Sequence, residues 1–166
     1  MSGYKEVLES VYRKSPHSLP CKLLSLDPGE TTGWAEFHNG ELVDWGQLET
    51  YDKVNKKINW DVIDHLMASI RPTHVICENY RVYAHKLERH SFSEVPTLRI
   101  IGGFEFLAYF QGCSIEYQMA VQAKGFVTDA RLKKWDFWKE NMRHSRDAIR
   151  HGIYYLLITH RPKDVK

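Results

Sequence analysis

Apolar and polar positions along this chain follow two periods, and each change of period marks an element. Residues 4–14 place Val7, Leu8 and Val11 on one face and predict a short helix, broken by the polar, proline-bearing stretch 15–20. Residues 22–26, Lys-Leu-Leu-Ser-Leu, read as a short buried strand that runs into Asp27, and Pro28-Gly29 forces a turn. Residues 32–37 and 41–48 read as two strands joined at Asn39-Gly40, a pair that favours a tight hairpin. From 55 to 70, Ile58, Val62, Ile63, Leu66 and Met67 recur at helical spacing until Arg71-Pro72 ends the run. Residues 73–77 form a second buried strand ending at Glu78, and 81–94 is polar and reads as a loop. Residues 95–110 are apolar nearly all round and predict a helix. A strand at 113–117, a basic helix at 129–141 and a last helix at 144–159 complete the pattern. Three strands followed by helix, strand, helix, strand and helix mix a meander with crossover connections. The predicted fold class is therefore α/β, a mixed sheet flanked by helices. Ligands of such sheets gather at the carboxyl ends of strands, where Asp27 and Glu78 both stand.

Composition narrows the class. With 166 residues the chain suits one domain, and 43% hydrophobic with 27% charged residues excludes disorder as the default. No apolar run reaches the roughly 18 residues of a membrane-spanning helix. The first twenty residues lack the apolar centre of a secretory signal, so the expectation is a cytoplasmic protein. The three cysteines, Cys21, Cys77 and Cys113, form no Cys-x-x-Cys pair, which argues against a zinc site or a disulfide framework. Net charge is only +2, but its distribution is uneven. Residues 24–80 carry 10 acidic and 4 basic side chains, and residues 118–163 carry 10 basic and 4 acidic. One half suits cations and the other polyanions.

Taken singly, each candidate acid has an ordinary explanation. Asp27-Pro-Gly is common turn chemistry. Glu78 reads as an exposed charge at a strand end. Asp147 suits the first turn of a helix. Taken together, two acids at strand ends and the His144-x-x-Asp147 pair at a helix start form a set that phosphodiester cleavage needs. Two divalent ions held by carboxylates activate water and stabilise the leaving oxygen, hard ions of the magnesium type prefer such oxygens, and His144 can orient or deprotonate the water.

The chain resembles the RuvC-type Holliday junction resolvases, particularly small phage-encoded versions. The resemblance lies in Asp27-Pro-Gly-x-x-x-Gly33, Glu78-Asn79-Tyr80 and His144-x-x-Asp147-Ala148. It spans residues 23–157, and the order Asp, Glu, His, Asp is shared with the RuvC-like nuclease of RNA-guided effectors. It implies an RNase H-like fold with a mixed five-stranded sheet over residues 21–166; residues 1–20 depart from the family as an N-terminal extension without a counterpart there. It implies a structure-selective endodeoxyribonuclease that resolves four-way DNA junctions by paired nicks, working in the cytoplasm of a host cell if phage-encoded. Asp27, Glu78, His144 and Asp147 match the catalytic and metal-holding positions, for two magnesium or manganese ions per active site. His144 falls where some members have aspartate, so it is either a ligand or only a general base.

Candidate DNA contacts are Tyr80, Tyr83, Lys86 and Arg89 after the second acid, and Arg131, Lys133, Lys134, Arg143 and Arg146 in the basic stretch, which continues through Lys139 and Arg150. Trp135, Phe137 and Trp138 interleave with these cations, either to stack on unpaired bases or to fill the core. The helix from Val95 to Phe110, apolar on every side, is expected to be deeply buried or shared with a partner, and a homodimer through it is the expectation. His65, His74 and His151 read as surface or packing residues. Other functions remain open: an RNase H-like nuclease for flapped or branched DNA or RNA–DNA hybrids, or a non-catalytic junction-binding module. A nucleotide-binding loop of the actin-like type at residues 27–33 is disfavoured, because the chain is too short for the second domain it needs.

Overall fold

A computed structural model of the protein describes residues 3–80 and 95–162. Strands β1 (Lys22–Asp27), β2 (Thr31–His38), β3 (Glu41–Glu49), β6 (His74–Glu78) and β7 (Ser114–Gln118) form one sheet in the order β3-β2-β1-β6-β7. The β1–β2 and β2–β3 pairs are antiparallel, and β1–β6 and β6–β7 are parallel. The expected mixed five-stranded sheet is thus observed. Two short strands, β4 (Tyr51–Asp52) and β5 (Lys57–Ile58), make a separate ribbon. They shorten the helix expected over 55–70, which is α2 (Trp60–Ile70), because pairing with β4 takes Lys57 and Ile58 out of the helix.

Helices cover both faces of the sheet. On one side α2 and α3 (Pro96–Gln111) bury Ile63, Met67, Ile100 and Phe104 against Leu24, Leu26, Val75 and Cys77. On the other, α1 (Tyr4–Tyr12), α4 (Ala120–Phe126), α5 (Asp129–Lys134) and α6 (Arg143–Tyr154) pack over Leu23, Ala35, Phe37 and Ile76. Burial on both faces is why β1 and β6 read as nearly continuous apolar runs rather than alternating ones. No helix of the described residues is long and apolar enough to cross a membrane. All three cysteines are free.

The hairpin at Asn39-Gly40 forms as its sequence predicts, with φ 47° and 82° at the two turn residues. Other boundaries differ from expectation. The basic helix expected over 129–141 stops at Lys134, and Asp136 and Asn141 adopt positive φ (61° and 55°) that a helix excludes. The last helix ends at Tyr154 and continues as a π-helical turn, Tyr155–Thr159, whose Leu156 carbonyl accepts a hydrogen bond from Tyr12 Oη at 2.7 Å. Helix α4 has no counterpart among the predicted elements; its single buried residue, Ala123, leaves no apolar stripe to read. Helix α3 is not buried all round. Ile100, Phe104 and Ala108 face the core, while Phe106, Tyr109 and Phe110 are 63%, 82% and 77% exposed.

Two glycines set how closely α6 approaches the sheet. A Cβ on Gly33 of β2 would lie 2.1 Å from the backbone carbonyl of His144, and one on Gly152 of α6 would lie 2.2 Å from the Phe37 ring. Gly33→Ala should therefore push α6 off the sheet and destabilise the protein by about 1–3 kcal/mol. Gly102→Ala, at an α3 position with no atom within 4 Å of the added carbon, should be neutral or stabilising by up to about 1 kcal/mol. Urea unfolding of both variants checks the contrast.

Candidate active site

The register of the central strands brings the first two acids together. Leu23 to Leu26 of β1 pair with His74 to Cys77 of β6 in parallel, so Asp27 and Glu78 end neighbouring strands at the same level. Side chains alternate along a strand. Leu24 and Leu26 point to the α2–α3 side. Leu23, Ser25 and Asp27 therefore face α6, where Ser25 Oγ donates to the Ala148 carbonyl at 2.8 Å. The turn after Asp27 is fixed by two buried threonines. Thr50 Oγ1 and Thr32 Oγ1 both donate to the Gly29 carbonyl, at 2.5 and 3.2 Å.

The start of α6 is tied to β3 over the same end of the sheet. The His144 backbone N–H donates to Gln47 Oε1 at 2.9 Å, and Ser145 Oγ donates to the Gly46 carbonyl at 2.7 Å. The first of these bonds serves a backbone N–H that a helix start leaves unpaired. Residues 144, 147 and 151 share one helix face, and it is the face that meets Asp27 and Glu78.

Each acid meets a basic partner. His144 Nδ1 lies 2.7 Å from Asp27 Oδ2. Glu78 Oε2 lies 2.8 Å from Nε2 of His151, a residue with no exposed surface. Asp147 is buried, with Lys124 Nζ 3.0 Å from Oδ2 and Arg150 Nη1 2.5 Å from Oδ1. Arg150 is itself buried: its Nε donates to the Val127 carbonyl at 2.9 Å and its other terminal nitrogen pairs with Asp129. Its place in the basic stretch thus gives way to an internal role.

Burial pushes the Asp27 carboxyl above its ordinary range; the hydrogen bond from His144 opposes this, and the charges of Glu78 and Asp147 push it further up. The hydrogen bond to Asp27 raises His144 despite partial burial. Asp27 therefore feels the charge of two other carboxylates at one end of the sheet. This oxygen-only set suits a hard divalent cation, which would relieve that repulsion. As the side chains stand, no three His, Cys, Asp or Glu residues among the described ones close on a single point.

The remaining candidates divide. Arg143, Arg146, Lys124, Thr128 and Arg150 line a cavity of about 370 Å³ beside Asp147. Arg146 also stacks on Trp138, 4.3 Å from the ring centroid, as does Lys133 at 4.6 Å. Arg131 and Lys134 line a different cavity with Val7, Phe126 and Trp135. Trp135, Phe137 and Trp138 pack partly buried against the α6-side core. Tyr80 is half-buried just beyond Glu78; Tyr83, Lys86 and Arg89, with the rest of 81–94, lie outside the described residues. The sequence reading missed Lys124, because the short helix carrying it has no apolar period, and treated His151 as a surface or packing residue. Its position four residues after Asp147, on the helix face that carries His144, was the available signal.

No protein-family model matches the chain, and no curated protein matches it in sequence. Solved structures do match in shape. T. thermophilus RuvC in complex with Holliday junction substrate superposes with a TM-score of 0.60 at 12% identity, covering 83% of this chain and 94% of that one. A further Thermus thermophilus RuvC structure gives 0.58 at 13% identity, covering 83% and 95%. The yeast mitochondrial Holliday junction resolvase Ydc2 gives 0.54 at 10% identity, covering 95% and 86%. At these identities the likeness establishes the fold: the mixed five-stranded sheet and its flanking helices have the RNase H-like architecture of the RuvC resolvases.

Proposed function

We propose that this chain is a divalent-metal-dependent endonuclease that resolves four-way DNA junctions by paired nicks. What supports the reading is that Asp27 and Glu78 end the neighbouring strands β1 and β6, with Asp147 of α6 near enough for its charge to act on the Asp27 carboxyl, on a fold shared with Holliday junction resolvases. Asp27, Glu78 and Asp147 would hold magnesium or manganese, two ions per site. Bound there, the ions supply an activated water and positive charge against the phosphate oxygens. The chain's own groups do the rest. Asp27 accepts the Nδ1–H of neutral His144, which leaves Nε2 as the ring nitrogen able to take a proton from the attacking water. Cleavage leaves a 5′-phosphate and a 3′-hydroxyl. Arg143 and Arg146, in the cavity beside Asp147, bind the flanking phosphates.

Resolution needs two sites, and the exposed apolar face of α3 supports a two-fold dimer. Phe106 and Phe110 stack with centroids 6.3 Å apart on a face that also exposes Leu98 and Tyr109, and such a patch marks an interaction surface. Phe106→Glu combined with Phe110→Glu should turn the dimer into a monomer by sedimentation at micromolar concentration. A wild-type monomer under those conditions contradicts this reading.

A synthetic four-way junction incubated with magnesium, manganese or EDTA tests the activity, with linear duplex, flap and RNA–DNA hybrid alongside. Paired, symmetric, metal-dependent nicks in the junction are expected, and Asp27→Asn should abolish them while junction binding survives. Preferential cutting of flaps or hybrids would move the substrate and keep the site, and tight junction binding without cutting would leave a binding module.

The Asp27–His144 contact also has a pH signature in the metal-free protein. Because the folded pKa of His144 is raised above its ordinary 6.5, the contact contributes stability that is fully present below that ordinary value. The contribution is lost as pH rises through the raised value. Proton NMR should show His144 titrating above the ordinary histidine value, and Asp27→Asn should bring it down.

A further inference from the structure

Glu78 is the acid whose placement the strand register alone does not settle. Its side chain is longer than that of Asp27 and remains partly exposed, so its carboxylate has room to swing into solvent. The residue that meets it is buried. His151, on the third turn of α6, puts Nε2 2.8 Å from Glu78 Oε2 and Nδ1 3.0 Å from Oε1 of Gln118. Gln118 ends β7 and pairs in register with Glu78. Its Nε2 donates to Thr159 Oγ1 at 3.4 Å, and that hydroxyl donates to the Tyr155 carbonyl at 3.3 Å, inside the π-helical turn.

The directions along this chain of bonds are mutually consistent. The Gln118 amide nitrogen donates to Thr159, and its oxygen faces the ring and accepts from Nδ1–H. At 2.8 Å a proton must lie between Nε2 and the Glu78 oxygen, since two bare lone pairs would repel. Both ring nitrogens are thereby used. The imidazole cannot flip without leaving a buried polar group unpaired, at a cost of about 1–3 kcal/mol. An aliphatic side chain would fill the same space in the core at no such risk, and would leave Glu78 without a fixed partner.

We propose that His151 is a positioning residue that fixes the Glu78 carboxylate beside Asp27, and that Gln118, braced by Thr159, fixes the His151 ring. The proposal rests on the reading of Glu78 as a metal-holding carboxylate. Groups bonded behind a metal-holding side chain set its orientation, and losing one weakens metal binding. The brace joins β6, β7, α6 and the turn after it, so the second acid is positioned by the far end of α6 while Asp27 meets His144 at its start.

The test uses the full chain and three variants, His151→Leu, His151→Gln and Gln118→Leu, each checked for a cooperative circular-dichroism melt. Manganese binding is measured by calorimetry without DNA, and the magnesium dependence of junction cutting and junction affinity in EDTA are measured alongside. His151→Leu should weaken manganese binding, and raise the magnesium needed for half-maximal cutting, by about 10–100-fold, with junction affinity in EDTA unchanged. His151→Gln keeps an N–H able to reach Glu78 and should recover most of the loss, which a mere packing role would not produce. Gln118→Leu should give a smaller loss in the same direction, and it carries the test if His151→Leu fails to fold. Wild-type manganese affinity in a folded His151→Leu or Gln118→Leu variant overturns the role of His151 and leaves the active-site reading standing. A wild-type protein that neither binds manganese nor cuts any DNA takes both down together.

Discussion

Helix α6 lies against β1 and β2 at a distance that no side chain larger than hydrogen permits at Gly33 or Gly152. These two glycines sit at opposite ends of the contact, one under the first turn of the helix and the other over Phe37. Between them Ser25 bonds to the Ala148 carbonyl, and Gln47 and Ser145 tie the helix start to β3. The spacing matters because the short carboxylate of Asp27 and the imidazole of His144 meet only when the backbones are this close. A change that lifts α6 carries His144 and Asp147 away from Asp27 and Glu78, which stay on the sheet.

The close approach creates an electrostatic problem at the carboxyl end of the sheet. Three carboxylates share a partly buried region, and burial together with their mutual charge raises the carboxyl of Asp27. The fold answers with internal bases: His144 for Asp27, His151 for Glu78, and Lys124 with Arg150 for Asp147. Buried charges without partners are costly, so these contacts let the protein fold with its acids facing one another. They also hold each carboxylate in a definite direction. Of the four bases, Lys124 is the most exposed and Arg150 the most constrained, its guanidinium shared with Asp129 and the Val127 carbonyl.

Much of this was legible in the chain. The apolar runs before Asp27 and Glu78 marked buried strands, the Asn39-Gly40 turn marked a hairpin, and the spacing of His144 and Asp147 put both on one helix face. What failed to show has a physical reason in each case. Helix α4 buries one alanine and carries no period. The helix expected over 129–141 stops because Asp136 and Asn141 take left-handed backbone, which neither residue type requires. Helix α3 looked apolar all round, yet only Ile100, Phe104 and Ala108 meet the core, because composition does not say which side of a helix a neighbour covers.

Local pattern, then, determined the five strands of the main sheet and the longer helices, their order, the mixed character of the sheet and three of the acids worth watching, since these depend on side-chain period and turn chemistry within a few residues. The partners of those acids were decided by tertiary structure alone. The pairing of Glu78 with His151 joins residues 73 positions apart, and that of Asp27 with His144 joins residues 117 apart. Such contacts depend on strand register and on the closeness of α6 to the sheet, neither of which a local window of sequence contains. For the same reason Arg150 passed for a surface cation until packing placed it inside, where Asp147, Asp129 and a backbone carbonyl use its donors.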